Sequence, residues 1–192
     1  MVRNSEAKAQ GEAKAQGKTQ EEGETQEEGK ARKEADGAPG SAGTERGPDP
    51  MEVALGEARR GAALGEVPVG AVVARGGEII AAAHNETRLL RDPTAHAEVL
   101  AIRRAAERLG TERLEGLDLH VTLEPCAMCA GAIQHARLAR VYFGEEDDKG
   151  GGALNGPGVL RHANALHRPE VYGGFRESEA AALLRLFFRA RR

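Results

Sequence analysis

The chain has 192 residues and a nearly balanced charge, with 27 Lys and Arg against 30 Asp and Glu. No stretch approaches the ~18 consecutive apolar residues of a membrane span, and no charged start leads into the apolar core of a signal peptide. Its two cysteines are too few for a disulfide framework. These features exclude a membrane protein and a secreted disulfide scaffold, and we expect a cytoplasmic protein.

Composition divides the chain near residue 50. Residues 1–50 contain no Leu, Ile, Phe, Tyr or Trp, repeat the motifs EAKAQG and TQEEG, and end in a segment rich in glycine and proline. Such a segment buries too little apolar surface to compensate for the entropy of ordering it. We therefore predict a disordered low-complexity tail and linker over residues 1–50 and a folded domain over residues 51–192.

The first part of the domain predicts a helix followed by a hairpin. Residues 51–63 are rich in alanine with helical spacing of apolar positions, and residues 69–74 and 79–83 are apolar enough for strands. Gly76 and Gly77 between these strands are typical of a tight hairpin turn. Because a hairpin is antiparallel, the sheet that contains it must be at least partly antiparallel.

The rest of the domain alternates helices and strands. A helix is predicted to begin at Asp92 and Pro93, which suit the cap and the first helical position, and to end at Gly110. The elements predicted after it are strand 119–123, helix 127–136, strand 140–143, strand 170–172 and helix 178–192. In the last helix, Ala181, Leu184 and Phe188 form the predicted apolar stripe. This alternation indicates a layered α/β domain with a mixed sheet.

Two short motifs predict a zinc site. Cys126 and Cys129 are three residues apart at a predicted helix start, so their sulfurs face one way, and a helix N-terminus favours thiolates. His96 lies in the first turn of its predicted helix and supplies a third ligand. Three protein ligands leave one tetrahedral position of zinc open, which is typical of a catalytic site. Glu98 is then available to move protons.

A closed site is the alternative for the two cysteines. His162 and His167 have the mutual spacing of zinc-finger ligands and would complete a structural, non-catalytic set. However, the 32 residues between Cys129 and His162 far exceed the usual ~12–15, and the closed site leaves Glu98 without a role. For His84, at a strand end, a pocket-lining position and a surface position are both open, and we favour the surface.

A longer set of motifs resembles a known family. These motifs are EVPVGA at 66–71, Asn85, DPTAHAE at 92–98, VTLEPCAMCAGAI at 121–133, Phe143-Gly144, Asp147-x-Lys149-x-Gly151 and LFFRARR at 186–192. Together they resemble the bacterial tRNA-specific adenosine deaminases of the zinc-dependent cytidine/deoxycytidylate deaminase superfamily. The resemblance covers nearly all of residues 51–192 and none of the tail.

The resemblance implies a fold and a reaction. The implied fold is a cytidine-deaminase-like three-layer α/β/α domain with a central five-stranded mixed sheet, usually assembled as a homodimer with one zinc ion per subunit. The implied reaction converts adenosine to inosine at the wobble position of tRNA anticodons, by attack of zinc-activated hydroxide on C6 with Glu98 as the proton shuttle. Asn85 is expected to hydrogen-bond the base, with Val67 and Ala97 in the pocket wall. Without the resemblance, Asn85 reads as a turn residue.

RNA binding requires a local positive patch, because Lys and Arg equal Asp and Glu at 19 each after residue 50. Residues 176–192 hold five arginines against two glutamates. We expect the anticodon stem-loop to contact Arg189, Arg191 and Arg192, and its loop to lie near Asp147 and Lys149. Solvated arginines without an RNA role are the alternative.

Two other functions stay open at this point. One is deamination of free nucleobases or nucleosides of the guanine or cytosine type, because relatives share both metal motifs. The other is a zinc-stabilised RNA-binding protein without catalysis, which would not need Glu98.

Overall fold

The structure is a computed structural model that describes residues 47–191. The predicted tail, apart from residues 47–50, and Arg192 lie outside the described residues. Four helices and five strands follow one another as α1 Pro50–Ala63, β1 Gly70–Arg75, β2 Glu78–His84, α2 Ala97–Leu109, β3 Asp118–Leu123, α3 Ala127–Ala136, β4 Arg140–Glu145, β5 Glu170–Tyr172 and α4 Glu177–Arg189.

The five strands form one mixed sheet in the order β2-β1-β3-β4-β5. β1 pairs antiparallel with both β2 and β3, whereas β3, β4 and β5 are parallel to one another. Gly76 and Gly77 join β1 to β2 with positive φ angles of 57° and 93°, which glycine adopts readily. The predicted hairpin and the mixed sheet are therefore confirmed.

Helices cover both faces of the sheet, as the predicted three-layer fold requires. On one face, Val73, Leu119 and Val141 pack in the main core with apolar residues of α2 and α3. On the other, Val72 and Ala74 pack with Met51 and Ala54 of α1. Successive strand residues point to opposite faces, so strands with few polar positions are consistent with a sheet covered on both sides.

The predicted start of α2 is wrong. Asp92, Pro93 and Thr94 form a separate turn, in which the Asp92 carboxylate accepts hydrogen bonds from the amide and the hydroxyl of Thr94. The helix begins only at Ala97, and His96 before it has extended backbone angles. An aspartate that accepts from the residue two positions later can stabilise a turn as well as cap a helix. The sequence pattern alone therefore did not distinguish a turn at Asp92 from the start of α2.

The predictions for α4 and His84 also need correction. α4 ends at Arg189, and its buried residues are Ala180, Ala181 and Phe187, whereas Phe188 is 50% exposed. His84 is buried, and its Nδ1 lies 2.8 Å from an oxygen of Glu57 on α1. None of the helices within residues 47–191 is long and apolar enough to cross a membrane.

Candidate active site

Three potential metal ligands converge next to the carboxyl end of β3. His96 is the residue before α2, Cys126 is the residue before α3, and Cys129 lies in the first turn of α3. Their ligand atoms all lie within 4.8 Å of one another. His96 Nδ1 is 3.7 Å from the sulfur of Cys126 and 3.5 Å from that of Cys129. Within residues 47–191, no other group of three such side chains comes together in this way.

The donor set fits zinc. One imidazole nitrogen and two free thiols are ligands that zinc prefers. Hydrogen bonds with Cys129 and then with His96 lower the pKa of Cys126 to about 4, which favours the thiolate form that binds zinc. The same hydrogen bond between the two sulfurs, together with burial, raises the pKa of Cys129. Zinc binding displaces the protons of both thiols, and the two thiolates then match the charge of the divalent cation.

The alternative closed ligand set is not assembled in the structure. His162 is exposed, and its Nδ1 accepts a hydrogen bond from the Asn164 amide. The Nε2 atom of His167 lies 2.6 Å from the Leu138 carbonyl oxygen. Both histidines are therefore engaged away from Cys126 and Cys129.

Glu98 lies beside the three ligands, at the second position of α2. It is only 4% exposed, and burial raises the pKa of its carboxyl group. The nearby His96 and Cys129 lower this pKa by less than burial raises it. A carboxyl group whose pKa is raised toward neutrality can both accept and release a proton.

Asn85 connects the two walls of the predicted base pocket. Its side-chain oxygen accepts a hydrogen bond of 2.8 Å from the Ala97 amide, and its side-chain nitrogen donates to the Val67 carbonyl at 3.3 Å. Asn85 is 7% exposed. The structure therefore brings the three predicted pocket residues, Val67, Asn85 and Ala97, into one hydrogen-bonded group next to Glu98.

Sequence reasoning missed a buried carboxylate, Glu66, that anchors the loop of residues 86–91. Glu66 is 1% exposed and accepts hydrogen bonds from the Thr87 hydroxyl and from the amides of Arg88 and Leu89. Glu66 immediately precedes Val67, so one segment holds this loop and carries a residue of the predicted pocket. The sequence did contain a signal for this role, since Glu66 directly precedes the apolar run of residues 67–74. A charged side chain next to buried residues needs hydrogen-bond partners.

A second missed carboxylate, Glu124, anchors the glycine-rich loop of residues 146–158. It is 2% exposed and lies two residues before Cys126. Its oxygens accept hydrogen bonds from the amides of Asp147, Leu154 and Asn155 and from the side chain of Asn155. Burial raises the pKa of Glu124, but these hydrogen bonds outweigh burial and leave the pKa below its ordinary value.

The residues predicted to bind RNA lie in two places. Asp147 accepts hydrogen bonds from the amides of Lys149 and Gly150, which forms a turn that leaves Lys149 exposed. Arg189 is exposed on α4. Arg191 instead folds back, with its guanidinium 3.5 Å from the centre of the Phe187 ring and a hydrogen bond to the Gly65 carbonyl. Arg192 lies outside the described residues.

Comparison with known proteins agrees with this site. The family model of MafB19-like deaminases matches residues 48–192. A tRNA-specific adenosine deaminase of Agrobacterium fabrum is 52% identical over 142 residues, which cover 74% of this chain and 93% of that protein. A solved structure from studies of A-to-I editing by tRNA:A34 deaminases at the wobble position superimposes with a TM-score of 0.69 and 51% identity, covering 70% of this chain and 98% of that one.

A guanine deaminase from Nitrosomonas europaea is a more distant neighbour. It is 26% identical with a TM-score of 0.61, covering 72% of this chain and 82% of that one. Because the family model matches residues 48–192, the chain belongs to the MafB19-like deaminase family. Its predicted resemblance to the tRNA-specific adenosine deaminases, and with it the cytidine-deaminase-like fold, is confirmed by the closer matches.

Proposed function

We propose that the protein is a hydrolase that deaminates adenosine to inosine at wobble position 34 of tRNA anticodons. The observation that carries this proposal is the group of His96, Cys126 and Cys129 beside the buried Glu98, in a chain 52% identical to a tRNA-specific adenosine deaminase. The overall reaction consumes one water molecule and releases one ammonia molecule. The free-base alternative is supported only by more distant neighbours.

The cofactor of this proposal is one zinc ion per subunit, held by His96, Cys126 and Cys129. When bound, zinc lowers the pKa of a coordinated water, so that hydroxide is available near neutral pH. The fit rests on the nitrogen and two sulfur donors of the site and on the lowered pKa of Cys126.

Glu98 is the proton carrier in this proposal. It accepts the proton of the attacking water and gives it to N1 of the purine as the bond to C6 forms. It then transfers the remaining hydroxyl proton to the departing amino group, which leaves as ammonia. Burial of Glu98 serves both transfers because it raises the pKa of the carboxyl group toward that of its proton donors.

Asn85, Val67 and Ala97 form the base pocket in this proposal. The target base must leave its stack to reach a buried site. Once there, it must be held in one orientation so that C6 faces the reacting groups. The hydrogen bonds of Asn85 to Val67 and Ala97 fix the asparagine amide within the wall. A bound base would meet this fixed amide rather than a freely rotating one.

RNA contacts are proposed at Asp147 and Lys149 in the glycine-rich loop and at Arg189, Arg191 and Arg192 at the chain end. The position of Arg189 supports this proposal, because Arg189 lies in an exposed groove together with Phe188 and Arg185. The groove is lined by Glu145, Ala181, Leu184, Arg185, Phe188 and Arg189. Exposed rings and arginines bind unpaired bases and phosphates together. For Arg191, RNA contact competes with its contacts to Phe187 and Gly65.

We further propose a homodimer in the cytoplasm. Leu89, Leu90 and Met128 are 65%, 52% and 39% exposed, and they lie in the two segments next to the pocket, the 86–91 loop and the first turn of α3. Large exposed apolar side chains favour a protein interface. Free thiols in the metal site suit a reducing compartment.

A substrate comparison tests the proposed function. Purified full-length protein is incubated with anticodon stem-loops that carry adenosine 34 and, separately, with free adenosine, cytidine and guanine. Inosine in the RNA and ammonia release are both measured. We expect inosine only at position 34, and none in a stem-loop with guanosine there. Deamination of the free compounds without inosine in any stem-loop would contradict the proposal.

A further inference from the structure

The carboxylate of Glu124 closes the glycine-rich loop of residues 146–158. One oxygen accepts from the Asp147 amide at 3.3 Å and from the Asn155 side-chain nitrogen at 2.6 Å. The other accepts from the amides of Leu154 at 2.8 Å and Asn155 at 2.9 Å. A single side chain thus holds both the beginning and the middle of the loop.

The loop is also fitted against the metal-ligand segment. Between the residues that Glu124 holds, Gly151 forms an antiparallel bridge with Cys126. The amides of Gly152 and Ala153 both donate to the Pro125 carbonyl, at 2.9 and 3.1 Å. These contacts fix where the loop stands relative to the zinc ligands.

Gly151 has no room for a side chain. A Cβ atom there would lie 2.4 Å from the Asp147 carbonyl oxygen and 2.7 Å from the carboxylate of Glu124. Such distances are impossible without a shift of the loop backbone or of Glu124. Glycine at this position is therefore required by the close approach of the loop to the carboxylate.

We propose that Glu124 is a positioning residue for the RNA substrate, which holds the turn of residues 147–150 in the conformation that meets the anticodon loop. The inference rests on the proposed function, because it takes Asp147 and Lys149 as RNA contacts. A loop with this many glycines has high conformational entropy when it is not anchored. Without Glu124, RNA binding must order the loop, and the cost weakens RNA binding.

The effect is expected in KM rather than in kcat. The groups that react, Glu98 and the three metal ligands, are held by α2 and α3 and by the residues before them. None of the four hydrogen bonds of Glu124 goes to one of these groups. Once RNA is bound, the chemistry should therefore proceed at nearly its normal rate.

The test compares Glu124→Gln and Gly151→Ala with Asp118→Asn as the matched control. Glutamine keeps the shape of Glu124 but turns an NH₂ group toward donors. Asp118 is another buried carboxylate of the same segment, at the opposite end of β3, where it pairs with Arg140. kcat and KM for the stem-loop and zinc per chain are measured for each folded variant.

We expect Glu124→Gln and Gly151→Ala each to raise KM by about tenfold or more, with kcat within about threefold of the wild type and full zinc content. Asp118→Asn should leave both constants within about twofold. Should Glu124→Gln fail to fold, Gly151→Ala and the milder Asn155→Ala, which removes one donor, decide the outcome.

Unchanged KM in the folded variants would overturn the proposal, and so would a loss of zinc and kcat at constant KM, which would mean that Glu124 acts through Cys126. A wild-type protein inactive on every stem-loop would instead reject the proposed function itself.

Discussion

Two buried glutamates lie near the same end of the sheet and are held in opposite ways. Glu98, beside the metal ligands, is 4% exposed, and burial raises the pKa of its carboxyl group. Glu124, under the glycine-rich loop, is 2% exposed, and four hydrogen bonds outweigh burial and lower its pKa. A carboxylate whose oxygens are occupied by donors holds structure, whereas one with a raised pKa can exchange protons. We therefore distinguish a proposed reacting centre, Glu98 with its three metal ligands, from a proposed RNA-binding rim, the loops of residues 86–91 and 146–158.

The largest effect is expected at the metal ligands of the reacting centre. His96→Ala removes the only nitrogen donor of the group, so we expect loss of zinc and of detectable deamination. His162→Ala is the control, because His162 is exposed and bonded to Asn164. Metal content and inosine formation are measured together. Zinc retained in His96→Ala but lost in His162→Ala would mean that the ligand assignment is wrong.

Replacement of the proton carrier should have the next largest effect. Glu98→Gln preserves shape but removes the group that moves protons, so we expect kcat to fall by about 10³-fold with zinc retained. Glu107→Gln, at an exposed position of the same helix, should change nothing. If deamination persists in Glu98→Gln with zinc bound, Glu98 is not the proton carrier.

The proposed pocket residue Asn85 should show an intermediate effect. Asn85→Ala leaves the Ala97 amide and the Val67 carbonyl without their partner in a buried site. We expect kcat/KM for the stem-loop to fall by about tenfold or more. Asn85→Asp still accepts from Ala97 but sets a buried carboxylate oxygen against the Val67 carbonyl oxygen, so it should also lower thermal stability. Equal kcat/KM for wild type and Asn85→Ala would remove this residue from the pocket.

The smallest effect is expected from Glu66, which holds the loop of residues 86–91. Glu66→Gln weakens the hydrogen bonds that hold Thr87, Arg88 and Leu89, and we expect Tm to fall by about 3 °C. Arg88 and Arg91 are exposed in this loop, so limited trypsin digestion should cut there faster in the variant. Unchanged digestion at these two arginines would mean that Glu66 does not anchor the loop.

The sequence predicted the centre better than the rim. The bounds of α3 and β5 agree with the prediction, and the structure brings His96, Cys126 and Cys129 together. The element bounds and the pairing of Cys126 with Cys129 depend on local spacing, which a sequence displays directly. His96, 30 residues before Cys126, was identified because an imidazole and two thiolates are the ligand types of a catalytic zinc site. Glu124 and its partner Asn155 are 31 residues apart, and no local pattern joins them. The start of α2 was misplaced because Asp92 caps a turn and not the helix.

The most direct test of the two roles is the rate of deamination at saturating stem-loop for Glu98→Gln and Glu124→Gln, both zinc-loaded. We expect Glu124→Gln to recover to within about threefold of the wild-type rate when RNA is saturating, whereas Glu98→Gln stays about 10³-fold slower at every RNA concentration. An equal loss of rate in both variants at saturation would contradict the division between a reacting and a positioning carboxylate.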